Sequence, residues 1–533
     1  MSTKSKKIRN ARVIATDIFM LIAVLAIVFL MMLIAMGYKF TDDGGIEQSG
    51  LLEISSQPSS AKVTIDGDEL FSPTEISKLL STGSHDVKLT KNGYDVWKSQ
   101  VEIEAGLLTK ITWARLFPIN PTVTTVDTHD KPLTITSFSP SRKNLIVAEA
   151  DSDSLELINI QQDKLKAKTI KFSDFAYIPS ENNDFKIQSS DFKVVSWSNN
   201  DSKVLVSQQV GESNYWIIVN LADIKKSINL TETFSKNFTQ LLLANDSASK
   251  IWALADGELT EINIENKTMT QVIAKNVTRI ANNQNTIAYV AKSSEPILGA
   301  KTETETTSDG DTATNKIFVY NEGEDGATAI VELGDDSSPL ITMGTYWSKN
   351  WLAYTHSGDF HCMSGKYPSY NKSQESDFKD IYKTAINFEP SYITNNPEQR
   401  VIITASNKRL LGFDIETLRP YNFEVDADLT NINWLDNYLI WNQEADKIIA
   451  HDFTGENRRE LASTTLSNNS PAVISENNQY FYYFTTEESP IQSSDQTTNS
   501  EQSENSSSES ANNSTEQTTT QVNYVLKREK LNI

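Results

Sequence analysis

The sequence predicts a mainly β protein in three parts: an N-terminal transmembrane helix, a small β domain, and a β-propeller of about seven to eight blades. Three observations predict this arrangement. Residues 18–36 form an unbroken apolar run, residues 51–118 alternate between polar and apolar side chains, and a turn-and-strand phrase recurs from about residue 120 onward. A chain of 533 residues has room for two or more such domains.

The apolar run is about long enough to cross the hydrocarbon core of a bilayer as a helix. We expect a cytoplasmic basic segment at 1–17, a transmembrane helix at 18–38 and a linker at 39–50. Representative residues of the expected membrane anchor are Ile18, Leu25, Phe29 and Met36. Because basic residues precede the run and acidic residues follow it, the positive-inside rule places the N-terminus in the cytoplasm and the rest outside. The topology determinants are Lys4, Lys6, Lys7, Arg9 and Arg12.

A cleaved signal peptide is the alternative interpretation of this segment. Ala35, Met36 and Gly37 loosely resemble a small-x-small cleavage site. The apolar region of a signal peptide is usually about 7–15 residues, however, and this run is longer. An uncleaved anchor in a cell membrane, with the bulk of the chain extracytoplasmic, is therefore the expectation.

The amino-acid composition of the chain limits the classes of ligand that it can bind. The net charge is −22, from 70 acidic and 48 basic residues, which argues against nucleic acid or anionic lipid as a ligand. The N-terminal basic cluster is expected to set topology rather than to make a specific contact. Cys362 is the single cysteine, so no intrachain disulfide can form, and this suits a bacterial surface better than a eukaryotic secretory route.

Residues 51–118 contain short runs with the period of two that is typical of half-buried strands. Val63 and Ile65 alternate with Lys62 and Thr64. The acidic group Asp66, Gly67, Asp68 and Glu69 raises the question of a calcium or catalytic site. The residues that follow lack the alternating oxygen ligands of a calcium loop, and Asp-Gly is a favoured turn dipeptide. The group is predicted to be the tip of a β-hairpin.

This region resembles the PEGA domain family. The resemblance rests on "ISSQPSSAKVTIDG", on Ser72-Pro73-Thr74, on "LLSTGSHDVKLTKNGYDVW" and on Leu116-Phe117-Pro118. The naming motif departs from the family, because the chain reads Pro58-Ser59-Ser60-Ala61, and Phe71 stands where a glycine is usual. The resemblance implies a compact β-sandwich-like module, common on bacterial and archaeal surface proteins and usually without activity of its own.

The phrase that recurs after residue 120 is an apolar or aromatic residue, a polar turn and an apolar strand. The eight instances begin at Phe138, Trp197, Leu243, Ile280, Trp347, Ile393, Trp434 and Ile474. A period near 40 residues with several short strands is typical of propeller blades. The first two instances weakly resemble the TolB-like and WD40-like repeats. An irregular array of β-sandwiches is the structural alternative.

Low-complexity inserts interrupt this propeller region, assigned to 120–533. Inserts occur at 174–190 and 292–314, and a third polar stretch covers 487–521. The inserts at 292–314 and 487–521 are predicted to be disordered loops, because they contain too few apolar residues to offset the entropy of ordering. Apolar segments flank both, so each insert is predicted to join two adjacent antiparallel strands of one blade. Residues 522–531 are predicted to be the strand after the last insert.

No catalytic, cofactor or metal motif emerges. His356, His361 and Cys362 form the tightest cluster of ligand-type residues, but their spacing matches no standard zinc site, and adjacent strand residues point to opposite faces. The tryptophans are expected to fill blade cores, with a glycan groove as the alternative. We expect no enzyme but an anchored scaffold whose propeller binds an envelope protein or a cell-wall polymer. An enzyme or small-ligand receptor using the central channel is the alternative.

Overall fold

In the computed structural model the chain divides into two compact units, Met1–Pro121 with Asn532–Ile533, and Thr122–Leu531. The structure describes residues 3–35, 37–40, 45–179, 186–293, 313–334, 339–371, 376–429, 432–466, 471–490 and 520–531. One long helix stands at the N-terminus and strands make up most of the rest. The predicted fold class, mainly β after an N-terminal helix, is confirmed.

The long helix α1 (Thr3–Ala35) begins earlier than expected, since it includes most of the basic segment, and it ends before residue 38. Its part Thr16–Ile34 is the one described segment that is long and apolar enough to cross a membrane, a criterion that a signal sequence also meets. Gly37, with φ of +82°, donates its N–H to the carbonyl of Ile34 at 3.0 Å. A glycine in the left-handed region is a common helix end, because it carries no Cβ to clash there.

The expected linker at 39–50 is wrong, because strands occupy both of its ends. Strand β1 (Tyr38–Phe40) follows the helix at once and pairs antiparallel with the start of β2 (Ile46–Gln57). The Gly37 carbonyl also accepts hydrogen bonds from the backbone N–H and the hydroxyl of Ser49. The helix therefore passes directly into the sheet of the first unit.

The first unit has two four-stranded sheets. Its remaining strands are β3 (Lys62–Ile65), β4 (Asp68–Glu69), β5 (Ile76–Ser81), β6 (Gly83–Thr90), β7 (Trp97–Ile103) and β8 (Leu108–Arg115). In one sheet β2 lies between β5 and the pair β1 and β8, with β8 parallel to β2; the other has the order β4-β3-β6-β7. Alternate side chains of β6 and β7 are buried, as the period of two predicts.

Gly50 of β2 lies tightly against the end of β7. A Cβ at this position would lie 2.6 Å from the side chain of Ile103 and 2.3 Å from the carbonyl of Glu104. Any larger residue would push β2 away from β7. Leu52 and Ile54 continue the buried face of β2 beyond this glycine.

The second unit contains eight sheets. Its strands are β9 (Thr122–His129), β10 (Leu133–Phe138), β11 (Asn144–Glu149), β12 (Ser154–Asn159), β13 (Ala167–Lys171), β14 (Phe192–Trp197), β15 (Lys203–Val210), β16 (Ser213–Asn220), β17 (Ile228–Asn229), β18 (Phe238–Leu243), β19 (Lys250–Ala255), β20 (Glu258–Asn263), β21 (Thr268–Met269), β22 (Val277–Asn283), β23 (Thr286–Ser293), β24 (Thr314–Asn321), β25 (Thr328–Gly334), β26 (Ile341–Tyr346), β27 (Lys349–His356), β28 (Asp359–Gly365), β29 (Lys379–Ala385), β30 (Tyr392–Asn395), β31 (Val401–Asp414), β32 (Arg419–Leu429), β33 (Asn433–Trp434), β34 (Leu439–Glu444), β35 (Lys447–Asp452), β36 (Arg459–Ser463), β37 (Val473–Ile474), β38 (Tyr480–Pro490) and β39 (Thr520–Lys530). The short helix α2 (Leu230–Phe234) precedes β18.

The sheets follow one another along the chain. Sheet 1 is β10–β13, sheet 2 is β14–β17, sheet 3 is β18–β21, sheet 4 is β22–β25, sheet 5 is β26–β29, sheet 6 is β30–β32, sheet 7 is β33–β36, and sheet 8 has the order β37-β38-β39-β9. Neighbouring strands within each of these sheets are antiparallel. Apart from the pair of β9 and β39, they are also consecutive in the chain. Repeated four-stranded antiparallel sheets of this kind are the blades of a propeller.

Sheet 6 follows the same plan although one of its strands is unusually long. Strand β31 reverses direction at Asn407, whose φ is +50°, and the N–H of Ile415 donates to the carbonyl of Arg400 at 3.0 Å. Residues 400 and 415 can meet only if the two halves of β31 lie side by side. Each half serves as one strand, so sheet 6 also has four strand segments.

Hydrophobic cores join sheet 8 to sheet 1 and then sheets 1 to 6 in succession. One core combines Val147 of sheet 1 with Phe484 of sheet 8, and another combines Ile146 of sheet 1 with Val206 of sheet 2. Equivalent cores join sheets 2 and 3, 3 and 4, 4 and 5, and 5 and 6. Between sheets 6 and 7, Asn396 Nδ2 donates to the carbonyl of Asn437 at 2.6 Å.

The ring closes through the first strand of the unit. β9 pairs antiparallel with β39, so that sheet 8 combines one strand from the start of the unit with three from its end. Val525 and Leu526 of β39 are almost completely buried. Closure of this kind ties the last blade to the segment that leads into the first blade.

Each recurring phrase of the sequence forms the hairpin between the first two strands of one sheet. The polar residue after the apolar one caps the turn by accepting backbone N–H groups, as Ser, Asn and Asp do in such turns. Six hairpins use this cap: Ser139, Ser198, Asn245, Asn396, Asp436 and Ser475. The side chain of Asp201 also accepts hydrogen bonds from Ser139 and Asn144, which links hairpin 2 to hairpin 1. These hairpins lie on one face of the unit, here termed the hairpin face.

The bounds of the two predicted disordered inserts need correction, because the flanking strands extend into them. Ser293 pairs with Thr314, and Pro490 pairs with Thr520, in both cases between antiparallel neighbours. The pairing of flanking strands is therefore confirmed, while 294–312 and 491–519 lie outside the described residues. Residues 520–530 pair with β38 in an unbroken register, and the consecutive residues Val525 and Leu526 are both buried.

Candidate functional site

The first strand of each sheet contributes to the inner wall of the ring. Trp197 Nε1 donates to Ser137 Oγ at 2.9 Å, which joins the first strands of sheets 2 and 1. Thr342 Oγ1 donates to Asn395 Oδ1 at 3.1 Å, which joins those of sheets 5 and 6. The eight strands β10, β14, β18, β22, β26, β30, β33 and β37 contain no Asp, Glu, His or Cys. Within these strands, the wall offers hydroxyl, amide and apolar groups together with the cations of Lys193 and Arg279, but no carboxylate, imidazole or thiol.

Four consecutive inner strands each contain a β-bulge, at Thr134, Val195, Thr239 and Thr278. The three threonine hydroxyls donate to carbonyls of the second strand of their own sheets, at 3.1 to 3.4 Å. A cavity of about 380 Å³ lies beside two of these bulges, with Gln240, Asn245 and Asn282 among its lining residues. Bulges often occur next to binding sites, because they re-aim side chains.

A second cavity lies on the hairpin face, between sheets 5 and 6, beside an exposed tryptophan. Trp347 is 71% exposed and forms the two-residue turn of its hairpin with Ser348; Tyr346 and Lys349 pair directly across the turn. The φ values of Trp347 and Ser348 are +48° and +60°. Asn-Gly is the usual sequence for such a turn, and a bulky residue in the left-handed region is strained.

The wall behind Trp347 is a fixed polar network. The Tyr346 hydroxyl donates to Glu416 Oε2 at 2.9 Å, and Arg400 Nη1 lies 2.8 Å from the same oxygen. Arg400 is 1% exposed and also forms a bidentate pair with Asp414, at 2.9 and 2.7 Å. Burial, with a smaller contribution from Glu416, raises the pKa of Tyr346 to about 12. The hydroxyl therefore stays protonated at neutral pH, and the Glu416 carboxylate is held in one orientation.

The remaining lining completes a small pocket, here termed the Trp347 pocket. Its volume is about 340 Å³, near the lower end of the range of ligand pockets in proteins. The lining residues are Tyr346, Trp347, Lys349, Trp351, Ser364, Ile381, Ile415, Glu416 and Leu418. Leu418, like Trp347, has a positive φ (+55°) and an exposed side chain. Apolar side chains around a few oriented polar groups are the usual composition of a binding pocket.

Most tryptophans occupy cores, as the sequence predicts, and Trp347 is the exception. Of the nine, Trp97, Trp252 and Trp351 are 1% exposed. The phrase that begins at Trp347 resembles the phrase at Trp197, which is buried. The difference lies in turn length: the turn after Trp197 has five residues, whereas β27 begins two residues after Trp347. The short spacing to the next strand is the signal that could have identified Trp347 as a turn residue.

The three ligand-type residues singled out in the sequence do not converge. His361 stacks on Tyr354, with ring centroids 4.6 Å apart, in the direction of sheet 4. Cys362 points the other way, into the core between sheets 5 and 6. His356 lies at the turn between β27 and β28. Among the described residues, no group of three His, Cys, Asp or Glu side chains could hold a metal ion.

The acidic group of the first unit is a hairpin tip, as predicted. Thr64 pairs with Glu69 and Ile65 pairs with Asp68, and Asp66 and Gly67 form the turn with positive φ values. The Asp66 carboxylate accepts from His85 Nδ1 at 2.6 Å and from the N–H of Asp86 at 2.9 Å. Asp66 thus ties the hairpin to β6, an interaction between residues 19 apart that the sequence does not indicate.

The predicted anchor residues lie in α1. Ile18, Leu25 and Phe29 are 52%, 58% and 62% exposed, whereas Met36 lies outside the described residues. The five predicted topology determinants lie in the first part of the same helix.

Comparison with known proteins identifies the first unit. Residues 49–115 match the PEGA domain family, close to the 51–118 expected from the sequence. No curated protein matches the chain.

Several solved structures are similar to the chain. An oligogalacturonate lyase from Vibrio parahaemolyticus has 9% identity and a TM-score of 0.38, over 69% of this chain and 95% of that chain. Dipeptidyl peptidase 4 from Porphyromonas gingivalis has 11% identity and a TM-score of 0.42, over 68% of this chain and 56% of that chain. An uncharacterized protein from Listeria monocytogenes has 11% identity and a TM-score of 0.38, over 65% of this chain and 100% of that chain.

Proposed function

We propose that the chain is a single-pass, membrane-anchored extracytoplasmic binding protein of a bacterial envelope, whose propeller holds a neutral glycan of the cell wall. The observation that carries the proposal is Trp347, an exposed aromatic ring in a strained turn beside a pocket with a fixed carboxylate. A rigid aromatic face binds the apolar face of a sugar ring, and oriented polar groups select its hydroxyls.

The charge of the chain supports a neutral rather than an anionic polymer. With a net charge of −22, the protein would repel a polyanion. Glu416 in the Trp347 pocket can accept hydrogen bonds from hydroxyl groups, while Lys349 on the rim can donate them. The hydroxyl groups of an uncharged glycan can donate hydrogen bonds to Glu416 and accept them from Lys349.

Binding rather than catalysis is supported by the inner wall of the ring. Hydrolysis of a glycan needs a pair of positioned carboxyl groups, and the described inner strands carry none. In the Trp347 pocket, Glu416 is the single carboxylate of the lining. We therefore propose that the site retains its ligand without cleaving it.

The test is binding of the full chain, in detergent micelles, to purified cell-wall glycan measured by affinity electrophoresis. We expect W347A to weaken binding by about tenfold or more, because tryptophans in pockets often contribute above 1.4 kcal/mol to affinity. Y370A is the matched control: Tyr370 is 57% exposed but does not line the pocket, so binding should be unchanged.

An envelope protein is the competing ligand at the same site. If W347A abolished crosslinking to an envelope protein in cells while glycan binding stayed at the wild-type level, the ligand would be that protein. Equal glycan binding by W347A and the unmodified chain would contradict the proposal. Release of sugar fragments during the assay would contradict the absence of catalysis.

A further inference from the structure

The outer face of the first unit carries a row of exposed leucines. Leu51 of β2 pairs with Leu79 of β5 on one side and with Leu108 of β8 on the other. These leucines are 36%, 52% and 46% exposed, and the neighbouring Leu107 is 55% exposed. Leu52, the next residue along β2, points into the core and is fully buried. The row is therefore an apolar stripe across three strands on the face opposite the core, here termed the leucine row.

The helix α1 ends beside this row. The carbonyl of Gly37 accepts from the N–H of Ser49, and Ser49 is two residues from Leu51 on the same face of β2. The N–H of Gly106 donates to the carbonyl of Ser49 at 2.9 Å, and Leu107 follows Gly106 directly. Two residues of strand measure roughly 7 Å, so the leucine row begins about that far from the last turn of the helix.

The length of the apolar segment fixes the depth of this junction. Thr16–Ile34 contains 19 residues, which as a helix measure roughly 28 Å, about the thickness of the hydrocarbon core. Its C-terminal end then lies at the boundary between acyl chains and headgroups, a zone roughly 5–8 Å thick on each side. No linker separates the helix from β1, so the module cannot move away from the bilayer.

We propose that the leucine row is a membrane-contacting surface, which inserts into the headgroup region of the bilayer that α1 spans. The occupant is lipid, because the row continues the apolar surface of the helix and lies at headgroup depth. Apolar side chains of interfacial elements insert by about 5–10 Å. The inference rests on the proposed membrane anchoring and adds that the PEGA domain lies on the membrane in a fixed orientation.

Site-directed fluorescence quenching tests this inference on the full chain in phosphatidylcholine vesicles. Single cysteines replace Leu51, Leu79 or Leu108 in a C362A background, and each carries an environment-sensitive label. The matched control is Q57C: Gln57 is an exposed residue of the same strand, roughly 20 Å further from the helix end than Leu51. V24C, in the middle of α1, reports whether the helix is inserted.

We expect lipids with a nitroxide near the headgroup to quench labels at the three leucine positions at least about threefold more than at Gln57, and iodide to quench the Gln57 label more. Labels at the leucine positions that behave like the Gln57 label would overturn the inference. Protection from both quenchers would also overturn it, since protein would then cover the row. If a lipid with a nitroxide deep in its acyl chain quenches V24C, but the headgroup nitroxide does not quench the leucine positions, anchoring survives and the inference fails. If V24C is not quenched, both the proposed membrane anchoring and the inference about the leucine row fail.

Discussion

The hydrogen bond between His85 and Asp66 makes the stability of the PEGA domain depend on pH. Burial lowers the pKa of His85, but hydrogen bonds to the Asp66 carboxylate and to the Ser81 carbonyl outweigh it and raise the pKa above 6.5. The bond from His85, with that from the Asp86 N–H, lowers the pKa of Asp66 below 3.8. Both groups are therefore charged in the folded state over the range between these values.

The two shifts predict opposite losses of stability at the two ends of this range. The contribution of His85 is complete below about pH 6.5 and is lost as the pH rises through its raised pKa in the folded state. That of Asp66 is complete above about pH 3.8 and is lost as the pH falls. We expect H85Q to reduce hydrogen-exchange protection of β3 and β6 most between about pH 4 and 6.5, and less at pH 8. D66N should reproduce this profile; an effect of H85Q that did not vary with pH would exclude the ion pair.

The site shows what a residue type alone cannot indicate. Trp197 and Trp347 begin similar phrases, yet one is in a core and the other is exposed. Burial here depends on the length of the turn, which sets whether the aromatic residue ends a strand or forms the turn. The fixed carboxylate of Glu416 depends on Arg400 in a different hairpin, and no local pattern connects the two.

At the scale of elements, the closing hairpin gives a direct test. Pro490 pairs with Thr520, so a two-residue Asn-Gly turn can replace 491–519 without disturbing β38 or β39. We expect this variant to melt at the temperature of the full chain or slightly above it, because a shorter loop reduces the closure entropy by at most about 2 kcal/mol. Thermal unfolding followed by circular dichroism measures the midpoint.

Truncation after residue 490 is the companion variant and should melt at a distinctly lower temperature. It removes β39, with the buried Val525 and Leu526, and leaves both β9 and β38 without their shared partner. Loss of two such side chains from a core costs several kcal/mol in typical cases. Identical melting of the truncated and full chains would show that β39 does not hold the ring closed.

The elements that local patterns determine are those that the sequence predicts well. Each phrase of apolar residue, polar turn and strand forms one hairpin, because capping by residues such as Ser139 and Asp436 is decided within a few positions. Pairing between distant segments carries no local signal. The partnership of β9 with β39 and the strand at Tyr38 directly after the helix were therefore not predicted.

For the whole molecule, the proposed anchoring predicts an uncleaved N-terminus and an exposed C-terminus. An N-terminal epitope should be protected when protease is added to cells stripped of any outer barrier, while a C-terminal epitope is removed. The reason is that the basic residues before α1 stay in the cytoplasm. N-terminal sequencing of the membrane-bound protein gives the second readout. A mature chain that begins near Tyr38 would identify the helix as a cleaved signal peptide.

Closure of the ring by its two ends sets a time constraint on synthesis. Thr124 of β9 and Arg528 of β39 are bonded although they are 404 residues apart. At a synthesis rate of about 5–20 residues per second, β9 exists for roughly 20–80 seconds before its partner has been made. During this interval β9 lacks its strand partner β39, so its backbone donors and acceptors are open to strands of a neighbouring chain. Four of the eight residues of β9 are threonine, which favours strand pairing, whereas the charge of Asp127 disfavours it.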